Sequence, residues 1–533
     1  MKRTDSMNRR TFLRSAAIGS AVLFGGSTLL WSVKRNSATP RQASSDFAPD
    51  IEIELSAVPD KVAILPGKKT RVWRYQARVL SGRQKAVQNL DDLYLGPILR
   101  LQRGQKVRIY FKNEIPDKSI VHWHGLHVPE EADGHPRYVV KKGQTYVYEF
   151  EVKNRAATYW FHPHPHGRTG PQVYNGLAGL FLVTDAEEQA LDLPSGDYDV
   201  PIVIQDRTFD RDNQLVYLSN RMQRMTGFLG ERILVNGKPD AELSVATRVY
   251  RFRLLNGSNS RIYKLAWNDG TPLTAIGTDG GLLQAPVQKD YIMLGPAERL
   301  DLWVDFSNRR VGDVLTLKSL SFSGANMGGM MGGGMMGGGM MGMGRNRRGA
   351  AIPANGDELT LLRVRIDREE QETRSLPRQL SRIERFDLSD AVNRDDPRTF
   401  RFTMQGMKPV INGRSFQMTK VAKDEIVRLN TTEVWQLVNG GGGGMMGGMM
   451  QMPHPVHVHG LQFQIIERTP SAGWASIKDG FIDNGWKDTV LLMPNMKAKI
   501  LLRFEDYTGL FLYHCHNLEH EDLGMMRNYL VQG

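Results

Sequence analysis

The stretch MPNMKAKILLRFEDYTGLFLYHCH, residues 493–516, decides the fold and points to the chemistry. Its first half alternates apolar and polar side chains, as a strand with one buried face does. A short polar turn follows, then a second, apolar strand that closes on His514, Cys515 and His516. Cys515 is the only cysteine in 533 residues. On a strand, residues two apart share a face. The two histidines therefore point one way and the thiol the other, so one strand can serve two sites.

The same layout occurs twice more. KKGQTYVYEFEVKNRAATYWFHPHPHG fills residues 141–167, and GPAERLDLWVDFSNRRVGDVLTLKSLSF fills residues 295–322. Recurrence of a strand–turn–strand unit with turn residues at short intervals predicts an all-β chain of three tandem sandwich domains. We place them at 46–188, 199–367 and 385–533. Asn236-Gly237 and Asn412-Gly413 are further hairpin signals. Copies one and three end in histidines, whereas copy two ends in KSLSF and has none. Two Met/Gly-rich segments, 327–344 in copy two and 440–452 in copy three, hold thirteen of the 25 methionines. Such glycine content cannot pack a core and reads as loop.

The first 45 residues read as a signal and linker. Arg9 and Arg10 precede a small and apolar run from Ala16 to Trp31, which resembles a twin-arginine (Tat) export signal. Export through the Tat machinery implies the periplasm or cell envelope. Residues 1–41 contribute +7 of the formal net charge of +12, so the rest of the chain sits near +5. No basic stripe argues for nucleic acid. We expect a monomer. A single cysteine excludes an intramolecular disulfide, and a lone thiol in an oxidising compartment is a liability unless something occupies it.

The thirteen histidines fall mostly into four clusters: HWHG with His122 and His124, WFHPHPHG with His162 and His164, HPVHVHG with His454, His457 and His459, and HCHNLEHEDLGMM with His514, His516 and His520. Each H-x-H pair can aim two imidazoles at one place. A Cys thiolate, two imidazoles and a weak methionine form a blue-copper ligand set. Cys515, His520 and Met525 lie close in sequence, and His454, which stands apart from the His457/His459 pair, is the natural second imidazole. The remaining eight histidines form four pairs without a thiolate or carboxylate among them. Imidazole suits copper, zinc, iron and nickel, and coupling to a blue-copper site favours copper. His127, His135 and His166 read as structural or supporting groups.

These four blocks resemble the signature blocks of the multicopper oxidases, in order and over essentially the whole chain after the signal. The resemblance implies three cupredoxin-like Greek-key domains and four copper ions. Carried over by motif, it implies a type 1 copper on His454, Cys515 and His520 with Met525 axial. It implies a type 2 copper on His122 and His457, and a type 3 pair on His124, His162, His164, His459, His514 and His516. It further implies four-electron reduction of dioxygen to water, fed by single electrons that enter at Cys515. Asp133 and Glu521 match positions where bacterial members carry acidic groups near the cluster, and are expected to relay protons.

Thioether sulfur is soft and suits Cu(I), so the methionine loops resemble those of bacterial cuprous oxidases. Met450 and Met452 are candidates to hold substrate copper. We therefore expect oxidation of Cu(I) or similar ions in copper tolerance, with laccase-like or bilirubin-oxidase-like oxidation of phenols and aromatic amines as the alternative. The pattern departs from the cuprous oxidases in three ways, one being that FDLSDAVNRDDPRTF, where the helix adjoining their Met-rich insert would fall, has no methionine. The longer Met/Gly segment lies in copy two, and Met450 stands where an acidic partner is expected. A copper storage protein would not need the full histidine set, and structural relatives in cell division typically lose it.

Overall fold

The computed structural model describes residues 41–90, 93–323, 352–406, 408–440, 452–469 and 474–533. The signal, the Met/Gly segment 327–344 and Met450 lie outside the described residues.

Six sheets pair into three sandwiches. Each sandwich repeats one wiring. In the first sheet of each, a parallel pair sits at the centre: Ile51–Val62 with Lys106–Asn113, Asp199–Arg207 with Val249–Asn256, and Arg398–Gln405 with Thr431–Asn439. In the second sheet the parallel pair lies toward one edge: Ile98–Gln102 with Gly179–Thr184, Glu242–Ala246 with Leu359–Arg368, and Ile426–Arg428 with Met526–Gln532. Antiparallel strands complete both sheets. A non-sequential strand returning beside the first is the Greek-key signature.

Local sequence explains the elements. Ile51–Val62 alternates buried and half-buried residues along most of its length. Asn236 and Gly237, at φ 48° and 75°, and Asn412 and Gly413, at φ 49° and 73°, form tight turns with two successive positive φ values. Asn and Gly tolerate that region best. Among the described residues the longest helices have six residues, Thr169–Tyr174 and Arg221–Thr226. No described helix is long and apolar enough to cross a membrane.

Strand parity positions the site. In Gly509–Cys515, the side chains of Phe511, Tyr513 and Cys515 enter the third core beside Trp435, Val456 and Met525. His514 leaves on the other face. In His454–Val458 the even residues Val456 and Val458 enter the same core. His454 shares their parity and so reaches Cys515, whereas His457 and His459 face away. Trp123 likewise anchors the first core between His122 and His124. Each such aromatic or aliphatic side chain contributes about 1.5–3 kcal/mol by burial, which is what holds the histidine faces in register.

Candidate metal centre

The register brings the histidines together. His122 pairs with His162 across the strands Val121–His124 and Ala157–Pro163, and His457 pairs with His514 across His454–Val458 and Gly509–Cys515. The two sheets of domains one and three then face each other across the histidines. All eight H-x-H imidazoles are buried.

Backbone and carboxylate acceptors fix which ring nitrogen faces inward, because an acceptor oxygen demands a protonated nitrogen opposite it. His122 Nδ1 donates to the Asp133 carbonyl (2.7 Å), and His457 Nδ1 donates to the Asp488 carbonyl (2.8 Å). His162 Nδ1 donates to the Pro163 carbonyl (2.9 Å), and His514 Nδ1 to that of Cys515 (3.1 Å). His459 Nδ1 donates to Asp133 Oδ2 (2.8 Å). These five therefore aim Nε2 lone pairs at the centre. His122 Nε2 and His457 Nε2 stand 3.2 Å apart, His459 Nε2 and His514 Nε2 3.0 Å, and His164 Nε2 and His514 Nε2 3.3 Å. His124 is reversed: its Nε2 meets Asp488 Oδ1 at 3.1 Å, and its Nδ1 faces His162 Nε2 at 3.4 Å. The ring of His516 lies against those of His124 and His162, at 5.1 and 5.2 Å between centroids.

This arrangement fits a metal cluster. Lone pairs facing each other at hydrogen-bond distance repel unless a cation lies among them. Both ring nitrogens of His516 and Nδ1 of His164 are buried without a hydrogen-bond partner, a cost that ligation removes. Burial, with crowding by the other imidazoles, holds His162, His164, His457, His459 and His516 well below the ordinary histidine range. His514 falls to about 3. Neutral imidazole is the form a metal binds.

The second group is smaller. His454 Nδ1 lies 3.3 Å from Cys515 Sγ, and His520 Nδ1 lies 3.8 Å from it. The Asn517 amide donates to the sulfur at 3.4 Å. Met525 is buried in the same core, and its carbonyl accepts from the Cys515 amide (3.0 Å). Burial pushes the Cys515 thiol far above its ordinary range. A soft cation bound at the sulfur would displace its proton. Two nitrogens, one sulfur and a buried thioether are the donor set copper prefers.

Both candidate carboxylates reach the cluster. Asp133 holds His459 by its side chain and His122 by its carbonyl. Glu521 Oε1 accepts from Thr169 Oγ1 (2.6 Å) and lies 3.6 Å from His164 Nε2, and Oε2 lies 3.4 Å from His514 Nδ1. Burial pushes Glu521 well above the usual carboxylate range. Among the supporting histidines, His135 Nε2 meets Asn528 (3.0 Å) and His127 Nδ1 donates to the Gly460 carbonyl (2.6 Å). His166 is exposed, against Phe416.

Similarity to known proteins agrees with the geometry. Residues 72–188 and 385–533 match two family models, each described as multicopper oxidase. A multicopper oxidase, mco, of Staphylococcus aureus is 31% identical over 436 residues, covering 81% of each chain. The chain belongs to the multicopper oxidase family. It is therefore a copper-dependent oxidoreductase with the cupredoxin-like fold. A laccase of Bacillus stratosphericus is 30% identical over 81% of this chain and 88% of its own. The crystal structure of the McoA multicopper oxidase of Aquifex aeolicus superimposes with a TM-score of 0.74 at 33% identity, over 91% of this chain and 97% of that one.

Sequence reasoning missed two contacts in this multicopper oxidase. Asp488 touches both His124 and His457, and Met225 of domain two accepts from His520 Nε2 through its carbonyl (2.9 Å). A charged Lys-Asp pair inside the apolar run GWKDTVLL was the available signal for the first. Nothing in RMQRMT marks the second.

Proposed function

We propose that this multicopper oxidase oxidises cuprous ion, coupling four such oxidations to reduction of one dioxygen to two waters. The four-copper assignment of the sequence reading is retained: His454, Cys515, His520 and Met525 for one ion, His122 and His457 for a second, and the remaining six histidines for a pair. Bound copper would supply one-electron redox cycling at Cys515 and dioxygen reduction among the eight histidines. The chain supplies the rest. Cys515 and its two flanking histidines place the two sites on opposite faces of one strand. The Asn517 amide hydrogen bond stabilises negative charge on the sulfur. Asp133 holds two ligand rings. Glu521, whose burial favours its protonated form, faces His164 and His514 as a proton donor. Export to the periplasm by a Tat-type signal, as a monomer, completes the proposal.

One observation carries the choice of substrate. His454 and His520 are at most 2% exposed, so neither imidazole offers an open edge on which a phenol ring could stack. Two methionines adjoin those ligands: Met452, buried, lies two residues before His454 with its carbonyl accepting from Asn439 (2.7 Å), and the Met225 backbone carbonyl accepts from His520 Nε2. Met222, on the same short helix as Met225, is 53% exposed. Soft thioethers suit a small soft cation.

The test is oxygen consumption by the copper-loaded protein with Cu(I) and, separately, with a phenol. Both are repeated after deleting 327–343 and after replacing Met445, Met446, Met449, Met450 and Met452 with Ser. Collapse of Cu(I) turnover with phenol turnover held or raised supports a metal oxidase. Indifference of both transfers the assignment to the laccase-like reading.

A further inference from the structure

We infer that Arg299, in the middle domain that contributes no histidine, is a positioning residue for the histidine cluster: through Asp488 it fixes His124 with Nδ1, rather than Nε2, turned toward the other imidazoles. The inference rests on the cluster being a metal site.

Every donor of this guanidinium is committed. Arg299 Nε donates to the Thr158 carbonyl (3.0 Å), on the domain-one strand that also carries His162. Nη1 donates to the Ala297 carbonyl (3.0 Å) and to Asp488 Oδ1 (2.7 Å). Nη2 donates to the Asp279 carbonyl (3.1 Å) and to Asp488 Oδ2. The side chain is fully buried, and so is that of Asp488. A bidentate guanidinium leaves the carboxylate one orientation. In that orientation Asp488 Oδ1 accepts from Thr489 Oγ1 (2.9 Å) and faces His124 Nε2. The ring must then carry its proton on Nε2 and turn Nδ1 toward His162. The same residue's carbonyl holds His457, so one anchor sets a donor from domain one and a donor from domain three.

The surroundings confirm that the fit is tight. Ala297 holds φ at 71°, a left-handed backbone that a side chain rarely adopts, and its carbonyl faces Arg299 there. Gly125, of the HWHG block, sits at φ 87°, and a Cβ there would lie 2.4 Å from Asp488 Oδ2 and 2.8 Å from Arg299 Nη2. The motif's glycine is thus required by the clamp as well as by its turn.

Three full-length variants test this: Arg299→Met, Arg299→Lys and Asp488→Asn, with Asp301→Asn as the control. Asp301 anchors Arg251 in an equally buried network that does not touch a histidine. Each is loaded with copper and measured for copper per chain, copper affinity of the cluster, the type 2 EPR signal and the blue absorbance. Arg299→Met is expected to keep its blue absorbance, to bind cluster copper about 10–100-fold more weakly, and to alter the EPR signal. Arg299→Lys is expected to recover part of that loss. Wild-type affinity and EPR in Arg299→Met overturn the inference, as does an equal loss in Asp301→Asn. Should Arg299→Met not fold, Asp488→Asn decides: an unchanged EPR signal overturns the inference, and a changed one supports it. A wild-type chain with no cluster copper ends the underlying assignment instead.

Discussion

Domains one and two differ in a single respect that matters. Each has two sheets with the same pairing, yet only one carries ligands. The domain-one strands Val121–His124 and Ala157–Pro163 set His122 opposite His162. The corresponding middle strands Tyr263–Trp267 and Val314–Ser319 set Ala266 opposite Lys318. Between residues 167 and 453 there is no histidine at all. The fold thus offers a pair of facing positions, and the side chains decide whether they become a site. The middle domain keeps the scaffold and supplies Arg299 and Met225 from its margins.

The largest expected effects break the ligand-bearing side of that comparison. Cys515→Ser should abolish the blue colour and leave no measurable oxygen consumption, and a blue, active mutant would sink the assignment. His122→Ala should remove cluster copper and turnover, whereas Ala266→Ser, at the middle-domain counterpart, should leave copper per chain unchanged by metal analysis.

Next comes the contact between the two kinds of domain. Gly125→Ala forces a Cβ into Asp488 and Arg299 at a positive φ. It should cost about 2–4 kcal/mol of stability, from strain and overpacking together, read by denaturant unfolding of the apo-protein. Asp133→Ala frees His459 and should lower turnover about 10–100-fold.

A pH series sharpens the same contrast. Burial holds His124, His162, His164, His454, His457, His459 and His516 well below the ordinary 6.5, with His135 and His514 at about 3 and His520 at about 4. They stay neutral when folded and take up protons on unfolding. Their contribution is therefore intact above pH 6.5 and is lost as pH falls toward 3. Each adds about 1.4 kcal/mol per pH unit to the slope in that window. Apo-protein melting temperature should fall steeply there, and bound copper should raise it. The smallest effect is expected at the rim: Met225→Leu keeps the carbonyl that covers His520 and should raise the KM for Cu(I) a few-fold, with the phenol KM unchanged.

Much of this was legible in sequence because it is local. The alternation before HCH gave the strand, and its period of two gave the two faces. Parity also separates His454 from His457 within one five-residue strand, and from His459 just beyond it. The clamp was not legible for the opposite reason. Arg299 and Asp488 lie 189 residues apart, in different domains, and neither belongs to a repeated pattern. Met225 meets His520 through its backbone carbonyl, which no side-chain motif encodes. Asp133 was legible as an acid near the cluster, but its grip on two separate rings needed the fold.

The distribution of ligands along the chain has a consequence for biosynthesis. The cluster draws on positions from His122 to His516, and its anchor comes from the stretch between them. Domains emerge and fold in order as a chain is made. No partial product can therefore hold the complete cluster, and the first domain, finished early, carries only half of it. Metal uptake at the cluster becomes a readout of completed synthesis and correct docking, and a copper-to-protein ratio measures assembly as much as occupancy.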